Sequence, residues 1–193
     1  MILNAAISEY IDSALPVGSK LLAEKYGLDV SSSTIRNELN ELESDGYLTH
    51  VHSSSGRVPT DDGYRFYVDA LMEPESLDEA EQHPFHYITV TMTPDRKRVV
   101  ANGMSRLFKL PEFRDVELIL KIVAAIEEQT LILNLLSHYR DCCSVVIAPD
   151  DLCECSMVIS PYSVDNETVG VLGPKRMRYS AVVPMVQHRR IPH

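Results

Sequence analysis

The stretch that most constrains the fold of this chain is residues 31–60, which read SSSTIRNELNELESDGYLTHVHSSSGRVPT. Apolar residues recur at the spacing of one helix face, which predicts a helix from Ser33 to Asp45 that ends at Gly46. The following YLTHV alternates as a strand does, and GRVPT can return antiparallel, with Pro59 where no ladder donor is needed. The pattern therefore predicts a short helix followed by a two-stranded hairpin with a serine-rich tip.

Two more short helices are predicted before this one. Apolar residues at helical spacing run through ILNAAISEYIDSAL until the proline-glycine turn at residues 16–18. Ser19 stands in the N-cap position ahead of KLLAEKY, and Gly27 follows as a C-terminal glycine. Ser31 or Ser32 then caps the third helix. Three short helices with a tight turn before the third, followed by a hairpin, are typical of a winged helix-turn-helix module.

The polar face of the third helix has side chains that suit contacts with DNA. Arg36 can donate two hydrogen bonds to guanine, and Asn37 or Asn40 can pair with adenine. Hydroxyl groups at the start of the helix suit phosphate, and polar groups in the hairpin suit the backbone or the minor groove. The candidate DNA-binding residues are Ser32, Ser33, Thr34, Arg36, Asn37, Asn40, His52, Ser54 and Arg57.

The same segment also fits a module that contacts another protein. Serines before a helix usually serve as caps, polar helix faces are usually solvated, and winged helices also bind proteins. The charge of the chain is −10, and residues 1–72 contain five Lys/Arg against eleven Asp/Glu, a balance of −6. This balance argues against a general nucleic-acid-binding protein, so any DNA contact must come from locally placed groups.

Residues 16–72 resemble the N-terminal domain of the HrcA family of bacterial heat-inducible transcription repressors. The blocks PVGSKLLAEKYGLDVSSSTIRNELNELESDGYL and HSSSGRVPTDDGYRFYVDALM account for the resemblance. It implies a winged-helix repressor that binds, as a homodimer, an inverted-repeat operator in double-stranded DNA upstream of chaperone genes. It also implies that a GroEL-type chaperonin favours the binding-competent state. By position, the resemblance implies these operator-facing residues: Ser33, Thr34, Arg36, Asn37, His52, Ser54 and Arg57.

The remainder of the chain reads as a linker and a second domain. EPESLDEAEQHP, within residues 73–86, is acidic and without strong apolar periodicity, so it predicts a linker or a weak helix. Residues 87–193 mix strand patterns with helices. YITVTM, RVVA, CSVVIA, CSMVIS and TVGVLG read as strands. GMSRLFKLPEF, one long helix over DVELILKIVAAIEEQTLILNLLSHY, and KRMRYSAVVPMVQHRR, kinked at Pro184, read as helices.

This second part also resembles the HrcA family, in NGMSRLFKLPEFRDVE and MVISPYSVDNETVGVLGPKRMRYSAVVPMV. The resemblance implies a GAF-like domain, truncated because the stretch before GMSRLF is shorter than in the family. The predicted fold class is α+β, with a winged helix-turn-helix domain over residues 1–72, an acidic linker over 73–86 and a truncated GAF-like α/β domain over 87–193.

No pattern in the sequence predicts catalysis, a cofactor or a metal site. The four cysteines lack the paired two-residue spacers of zinc sites, and no phosphate-binding glycine loop or clustered acid–base pair is present. Buried reduced thiols are the interpretation for Cys142, Cys143, Cys153 and Cys155, with a metal or redox role as the alternative. No apolar run is long enough for a membrane span, and the first residues lack a basic leader.

The sequence thus predicts a cytoplasmic repressor of chaperone genes that is not an enzyme. The alternative is an interaction module that pairs with a chaperone or another repressor subunit without productive operator binding.

Overall fold

The computed structural model describes residues 1–27, 30–51, 56–93, 95, 98–139, 142–149, 152, 154–162 and 167–191. The chain divides into two compact units, Met1–Glu73 and Pro74–His193. No helix in these ranges is long and apolar enough to span a membrane.

The first unit is made of three helices, a pair of short strands and a C-terminal helical segment. Its elements are α1 (Ile2–Ser13), α2 (Ser19–Tyr26), α3 (Ser32–Ser44), β1 (Leu48–His50), β2 (Arg57–Pro59), α4 (Asp61–Phe66) and a π-helical turn (Tyr67–Leu71). β1 and β2 pair antiparallel, and together they are called the hairpin below. The three helices and the hairpin follow one another in the order that the sequence predicts.

The helix boundaries follow from capping residues. α2 ends at Gly27, whose φ of 55° is the left-handed conformation that glycine adopts at little cost. α3 begins after Ser31, whose hydroxyl accepts a hydrogen bond from the Thr34 amide at 3.1 Å, which confirms the predicted cap. The predicted cap at Ser19 is wrong, because Gly18 holds the N-cap position and Ser19 is already helical.

The core of the first unit is built from the apolar stripes of its helices. Its fully or nearly fully buried side chains are Leu3, Ile7, Ile11, Leu22, Ile35, Leu39, Leu48, Tyr64 and Tyr67. Glu9 is buried as well, and its carboxylate pairs with the Lys25 ammonium at 2.5 Å and accepts a hydrogen bond from the Tyr26 hydroxyl at 3.3 Å. This pair joins α1 to the end of α2 and compensates the cost of burying a charge.

Backbone contacts fix the hairpin to the rest of the unit. The amide of Val17 donates to the Arg57 carbonyl at 2.8 Å, and the Arg57 amide donates to the Val17 carbonyl at 2.9 Å. A Cβ on Gly56 would lie 2.6 Å from the Val17 backbone, so this close approach requires glycine. After the hairpin, the Thr60 hydroxyl donates to the Gly46 carbonyl at 2.6 Å and accepts from the Gly63 amide at 3.0 Å.

The second unit is a five-stranded antiparallel sheet with helices, so the chain as a whole is α+β and this unit is consistent with a GAF-like domain. The sheet order is β4-β3-β7-β6-β5. Its strands are β3 (Ile88–Met92), β4 (Val99–Asn102), β5 (Ser144–Ile147), β6 (Cys155–Tyr162) and β7 (Glu167–Pro174). Its helices are α5 (Leu77–Ala80), α6 (Met104–Leu107), a 3₁₀ turn (Pro111–Arg114), α7 (Val116–Glu128), α8 (Thr130–His138) and α9 (Tyr179–Gln187).

The sheet of the second unit has a core on each face. Alternate residues Ile88, Val90 and Met92 share one cluster with Ile122 and Leu136 from α7 and α8. α9 packs against β6 and β7, where the buried Tyr179 hydroxyl donates to the Ser156 hydroxyl at 2.8 Å. Since Ser156 alternates with members of the first cluster along β6, α9 covers the other face.

The long helix predicted from DVELILKIVAAIEEQTLILNLLSHY is wrong, because the structure divides it into α7 and α8. Gln129 separates them with a φ of 60°, a left-handed conformation that ends α7. The side-chain oxygen of Gln129 accepts a hydrogen bond from the Val99 amide of β4 at 2.8 Å. A contact between residues thirty positions apart therefore holds a break that helical periodicity cannot reveal.

The acidic stretch predicted as a linker contributes to the second unit from residue 74 onward. α5 packs against α9, and Ala80 is buried in a cluster with Ala181 and Met185. Pro184 lies inside α9 and has no amide for the Ser180 carbonyl, which accepts a hydrogen bond from the Glu75 amide at 2.9 Å instead. The proline thus leaves an acceptor that fixes the predicted linker in place.

We expect Gly63→Ala to lower the free energy of unfolding of the first unit by about 1–3 kcal/mol, the scale of overpacking. An added Cβ would overlap the carbonyl oxygen of Tyr47, which is backbone and cannot rotate away. Gly18→Ala is the comparison variant, because a Cβ there meets nothing within 4 Å and the φ is −108°, so only the smaller loss of an alanine at the α2 N-cap is expected. Urea denaturation followed by circular dichroism gives the comparison, and equal effects of the two variants would contradict it.

Candidate nucleic-acid interface

The candidate interface begins with the outward face of α3. Ile35 and Leu39 are fully buried against the unit's core, so the residues between them point away from it. The exposed predicted residues of this helix are Ser32, Ser33, Thr34, Arg36, Asn37 and Asn40. The structure therefore brings the six predicted helix residues onto one accessible surface of the first unit.

The start of α3 holds a cluster of hydroxyl groups. The Ser31 hydroxyl lies 2.6 Å from the Ser33 hydroxyl and 2.9 Å from the Thr34 hydroxyl, in addition to capping the helix. These groups surround the positive end of the helix dipole, where backbone amides lack helical partners. Ser31 organises this end, although sequence reasoning considered it only as a cap.

Arg36 differs from the other basic residues of the first unit in its pairing. Among the residues described, it has no ion-pair or hydrogen-bond partner and its side chain is exposed. By contrast, each of these four basic residues lies beside a carboxylate: Lys20, Lys25, Arg57 and Arg65. Arg36 therefore presents a cation, in the middle of the polar face of α3, that no neighbouring carboxylate neutralises.

Arg57 lies inside the unit and not at the surface. Its side chain is only 9% exposed, its Nε donates to a Glu43 carboxylate oxygen at 3.2 Å, and its Nη2 donates to the Asn40 side-chain oxygen. Two predicted DNA contacts, Asn40 and Arg57, are thus paired with each other. Asn40 remains exposed at the edge of this contact.

Glu43 also accepts a hydrogen bond from the His50 ring, through its other carboxylate oxygen. We call Asn40, Glu43, His50 and Arg57 the Arg57 cluster. His50 and Arg57 are direct cross-strand partners in the hairpin, and Asn40 and Glu43 are three apart on α3. Sequence reasoning missed Glu43 and His50, although the hairpin register would have placed His50 beside Arg57.

His52 and Ser54, predicted at the tip of the hairpin, lie outside the described residues, and their role stays a prediction.

Among the four cysteines, Cys153 lies outside the described residues as well. Of the other thiols, Cys155 is buried as predicted, whereas Cys142 is exposed, so the interpretation as a buried thiol is wrong for Cys142. Burial raises the pKa of Cys143 to about 11, which disfavours the reactive thiolate there.

Comparison with known proteins gives the relatives of this chain. The family model described as HrcA protein C terminal domain matches residues 28–183. A heat-inducible transcription repressor HrcA from Roseiflexus castenholzii is 52% identical over 92 residues, which are 46% of this chain and 26% of the relative. Its namesake from Clostridium tetani is 57% identical over 81 residues, 42% of this chain and 23% of the relative. The chain thus matches about a quarter of the length of these curated relatives.

One solved structure is similar to the chain along most of its length. It is a crystal structure described as that of a hypothetical protein at 2.2 Å resolution, with a TM-score of 0.75 over 93% of this chain and 90% of that one. The two sequences are 17% identical, so the likeness concerns the fold alone.

The Arg57 cluster gives a pH dependence with a defined sign. The hydrogen bond from His50 lowers the pKa of Glu43 below its ordinary value of 4.5, and the positive charge of Arg57 acts in the same direction. A lowered carboxyl pKa contributes stability above the ordinary pKa, and this contribution is lost as the pH falls through the lowered value. Wild type should therefore lose more stability between about pH 6 and pH 3 than Glu43→Gln does. Urea midpoints of both proteins at each pH measure this, and parallel curves would contradict it.

Proposed function

Because the chain belongs to the HrcA family, whose curated members are named heat-inducible transcription repressors, we propose that it represses chaperone genes by occupying operator DNA. Repression of this kind requires no covalent chemistry, since a repressor bound to the operator excludes other proteins from the same DNA. The proposed target is an inverted repeat in double-stranded DNA, because a dimer with twofold symmetry matches two equal half-sites.

The observation that supports this proposal best is the exposed face of α3. It presents Arg36, which has no ion-pair partner among the described residues, beside Asn37, with hydroxyl groups gathered at the helix N-terminus. In a major groove, Arg36 would read guanine and Asn37 adenine, while the hydroxyl groups and the helix terminus would bind the flanking phosphate. Base contacts and phosphate contacts thus come from one helix.

The hairpin supports a winged-helix assignment by its position. It follows α3 directly, pairs antiparallel, and is joined to α3 through the Arg57 cluster. In this assignment α3 is the recognition helix, and His52 and Ser54, which lie outside the described residues, are proposed to contact the DNA backbone. A cytoplasmic location belongs to the same proposal, as DNA is the ligand.

The net charge of the first unit determines how much of its proposed DNA affinity would be non-specific. With a balance of −6 over residues 1–72, few phosphates are neutralised and non-specific affinity is weak. Specific binding then depends on base contacts and on the simultaneous use of two half-sites. Homodimerisation is therefore part of the proposal, and so is a GroEL-type chaperonin that favours the binding-competent state, as the family resemblance implies.

The second candidate function is an interaction module without productive operator binding. The acidic balance favours it, and so does the pairing of Asn40 with Arg57, which occupies two groups otherwise expected at DNA. Such a module would contact a chaperone or another repressor subunit through the same unit.

Fluorescence anisotropy of the purified chain distinguishes the two functions. Three duplexes are compared at two salt concentrations: an inverted repeat from upstream of a chaperone gene of the host, a single half-site and a scrambled repeat. A repressor should bind the inverted repeat far more tightly than the half-site, and the half-site more tightly than the scramble. Equal weak binding to all three that disappears with salt would exclude operator recognition and favour the interaction module.

Arg36→Ala should cost about 1–3 kcal/mol of operator binding and relax the base preference at one position of each half-site. The reason is that a bidentate contact to guanine exists only with the correct base. Arg114→Ala, which removes an exposed arginine of the second unit, is the matched control for charge. Binding to operators with each base at every position measures the preference, and equal losses on operator and scramble would assign Arg36 to phosphate.

A further inference from the structure

The Arg57 cluster is the part of the first unit that the proposed function does not yet explain. Arg57 invites assignment to DNA phosphate, because it is an arginine at the base of a hairpin beside a recognition helix. Its surroundings are different: the guanidinium is nearly buried, one edge donates to the Glu43 carboxylate at 3.2 Å, and Nη2 donates to Asn40. A charge paired in this way contributes little attraction for phosphate.

The backbone of Arg57 is held as firmly as its side chain. Its amide and carbonyl bond to Val17 in the turn before α2, and its cross-strand partner in β1 is His50. The preceding Gly56 admits no side chain without collision with the Val17 backbone. Arg57 therefore joins three segments: the turn before α2, the hairpin and α3.

Glu43 completes the connection from the helix side. One of its carboxylate oxygens accepts from Arg57 in β2 and the other accepts from His50 in β1, so a single α3 residue holds both strands. Asn40, one turn earlier, holds Arg57 a second time. These charge-assisted contacts fix the direction in which the hairpin leaves α3.

We infer that Arg57 is a positioning residue for DNA recognition, which sets the angle between α3 and the hairpin through Glu43, His50 and Asn40. The inference rests on the proposed function and deepens it. A hairpin tip reaches the DNA backbone while α3 occupies the groove only if the two are held at a fixed angle, so loss of the cluster weakens specific binding without removing a phosphate contact.

The salt dependence of binding separates positioning from phosphate contact. For Arg57→Ala we expect operator affinity to fall about tenfold or more, the scale of a lost charge-assisted hydrogen bond, with an unchanged slope of log affinity against log salt. If Arg57 contacts phosphate, the slope falls by about 0.9 and operator and scrambled DNA lose affinity alike, which overturns the inference.

Glu43 gives a second test, in which positioning and simple electrostatics predict opposite changes in DNA affinity. Glu43→Ala removes a negative charge from the candidate recognition helix, so charge alone would strengthen DNA binding. Positioning predicts weaker operator binding instead. Glu41→Ala is the matched control, because it removes the same charge from an exposed position of the same helix. A rise in affinity for both variants overturns the inference.

Two further variants keep the test decisive. Arg57→Lys preserves the charge but loses the planar fork, so a positioning role predicts nearly the loss seen with alanine, whereas a phosphate contact predicts binding close to wild type. The double variant Glu43→Ala with Arg57→Ala should lose clearly less affinity than the sum of the two single losses, because each single variant already removes the shared Arg57–Glu43 contact. Additive losses would separate the two residues and overturn the inference.

Hydrogen exchange distinguishes failure of the inference from failure of the proposed function. If wild type shows no preference for the inverted repeat, the proposed function fails whatever the variants do. The amides of Leu48, Thr49, His50, Arg57 and Val58 in the two strands then report on the cluster alone. Arg57→Ala and Glu43→Ala should both lose protection there while Glu41→Ala retains it, and unchanged protection in all three overturns the positioning role.

Discussion

The first unit depends on a buried cation, the guanidinium of Arg57, that three segments of the chain share. Removing such a charge from water is costly, and the contacts with Glu43 and Asn40 on α3 offset that cost, while His50 hydrogen-bonds to the other oxygen of the Glu43 carboxylate. Apolar packing of α1, α2 and α3 holds the helices together, but apolar contacts are not directional. The hairpin is short and places Leu48 in that core, but its orientation depends on these polar contacts and on the two backbone bonds to Val17.

The local elements of the first unit were predictable because each has its cause nearby in the sequence. The stripe of Ile35 and Leu39, the cap at Ser31 and the left-handed glycine at residue 27 act within a few positions of the helix ends that they define. The exposed face of α3 follows from the same periodicity. Helical spacing does not reveal which side chains pair with each other across the fold. The sequence predicts Arg57 as a DNA contact and does not reveal its partners, which lie fourteen and seventeen positions earlier on the face of a helix.

The second unit shows the same division between local and distant causes. Its strand segments were predictable from alternation, but their antiparallel order and the break between α7 and α8 were not. That break is held by Gln129 through a bond to β4, and the acidic stretch before β3 is held by Glu75 through bonds to Ser180. In both cases a polar group forms a hydrogen bond with a backbone or side-chain group that is far away in the sequence. Composition predicts a linker or a weak helix for the acidic stretch, and periodicity predicts one continuous helix across α7 and α8. Neither contains information about such distant partners.

The placement of charge in the first unit connects its stability to its proposed specificity. Four of its five basic residues lie beside carboxylates, and Lys25 and Arg57 stabilise junctions between elements. Arg36, which has no ion-pair partner among the described residues, is the cation proposed to contact DNA, on a helix that also contains Glu38, Glu41 and Glu43. A surface of this kind repels DNA that does not fit and gains little from phosphate alone. Recognition must then come from the fit of α3 and the hairpin to one DNA shape, which requires that their relative angle be fixed before binding, as the Arg57 cluster fixes it.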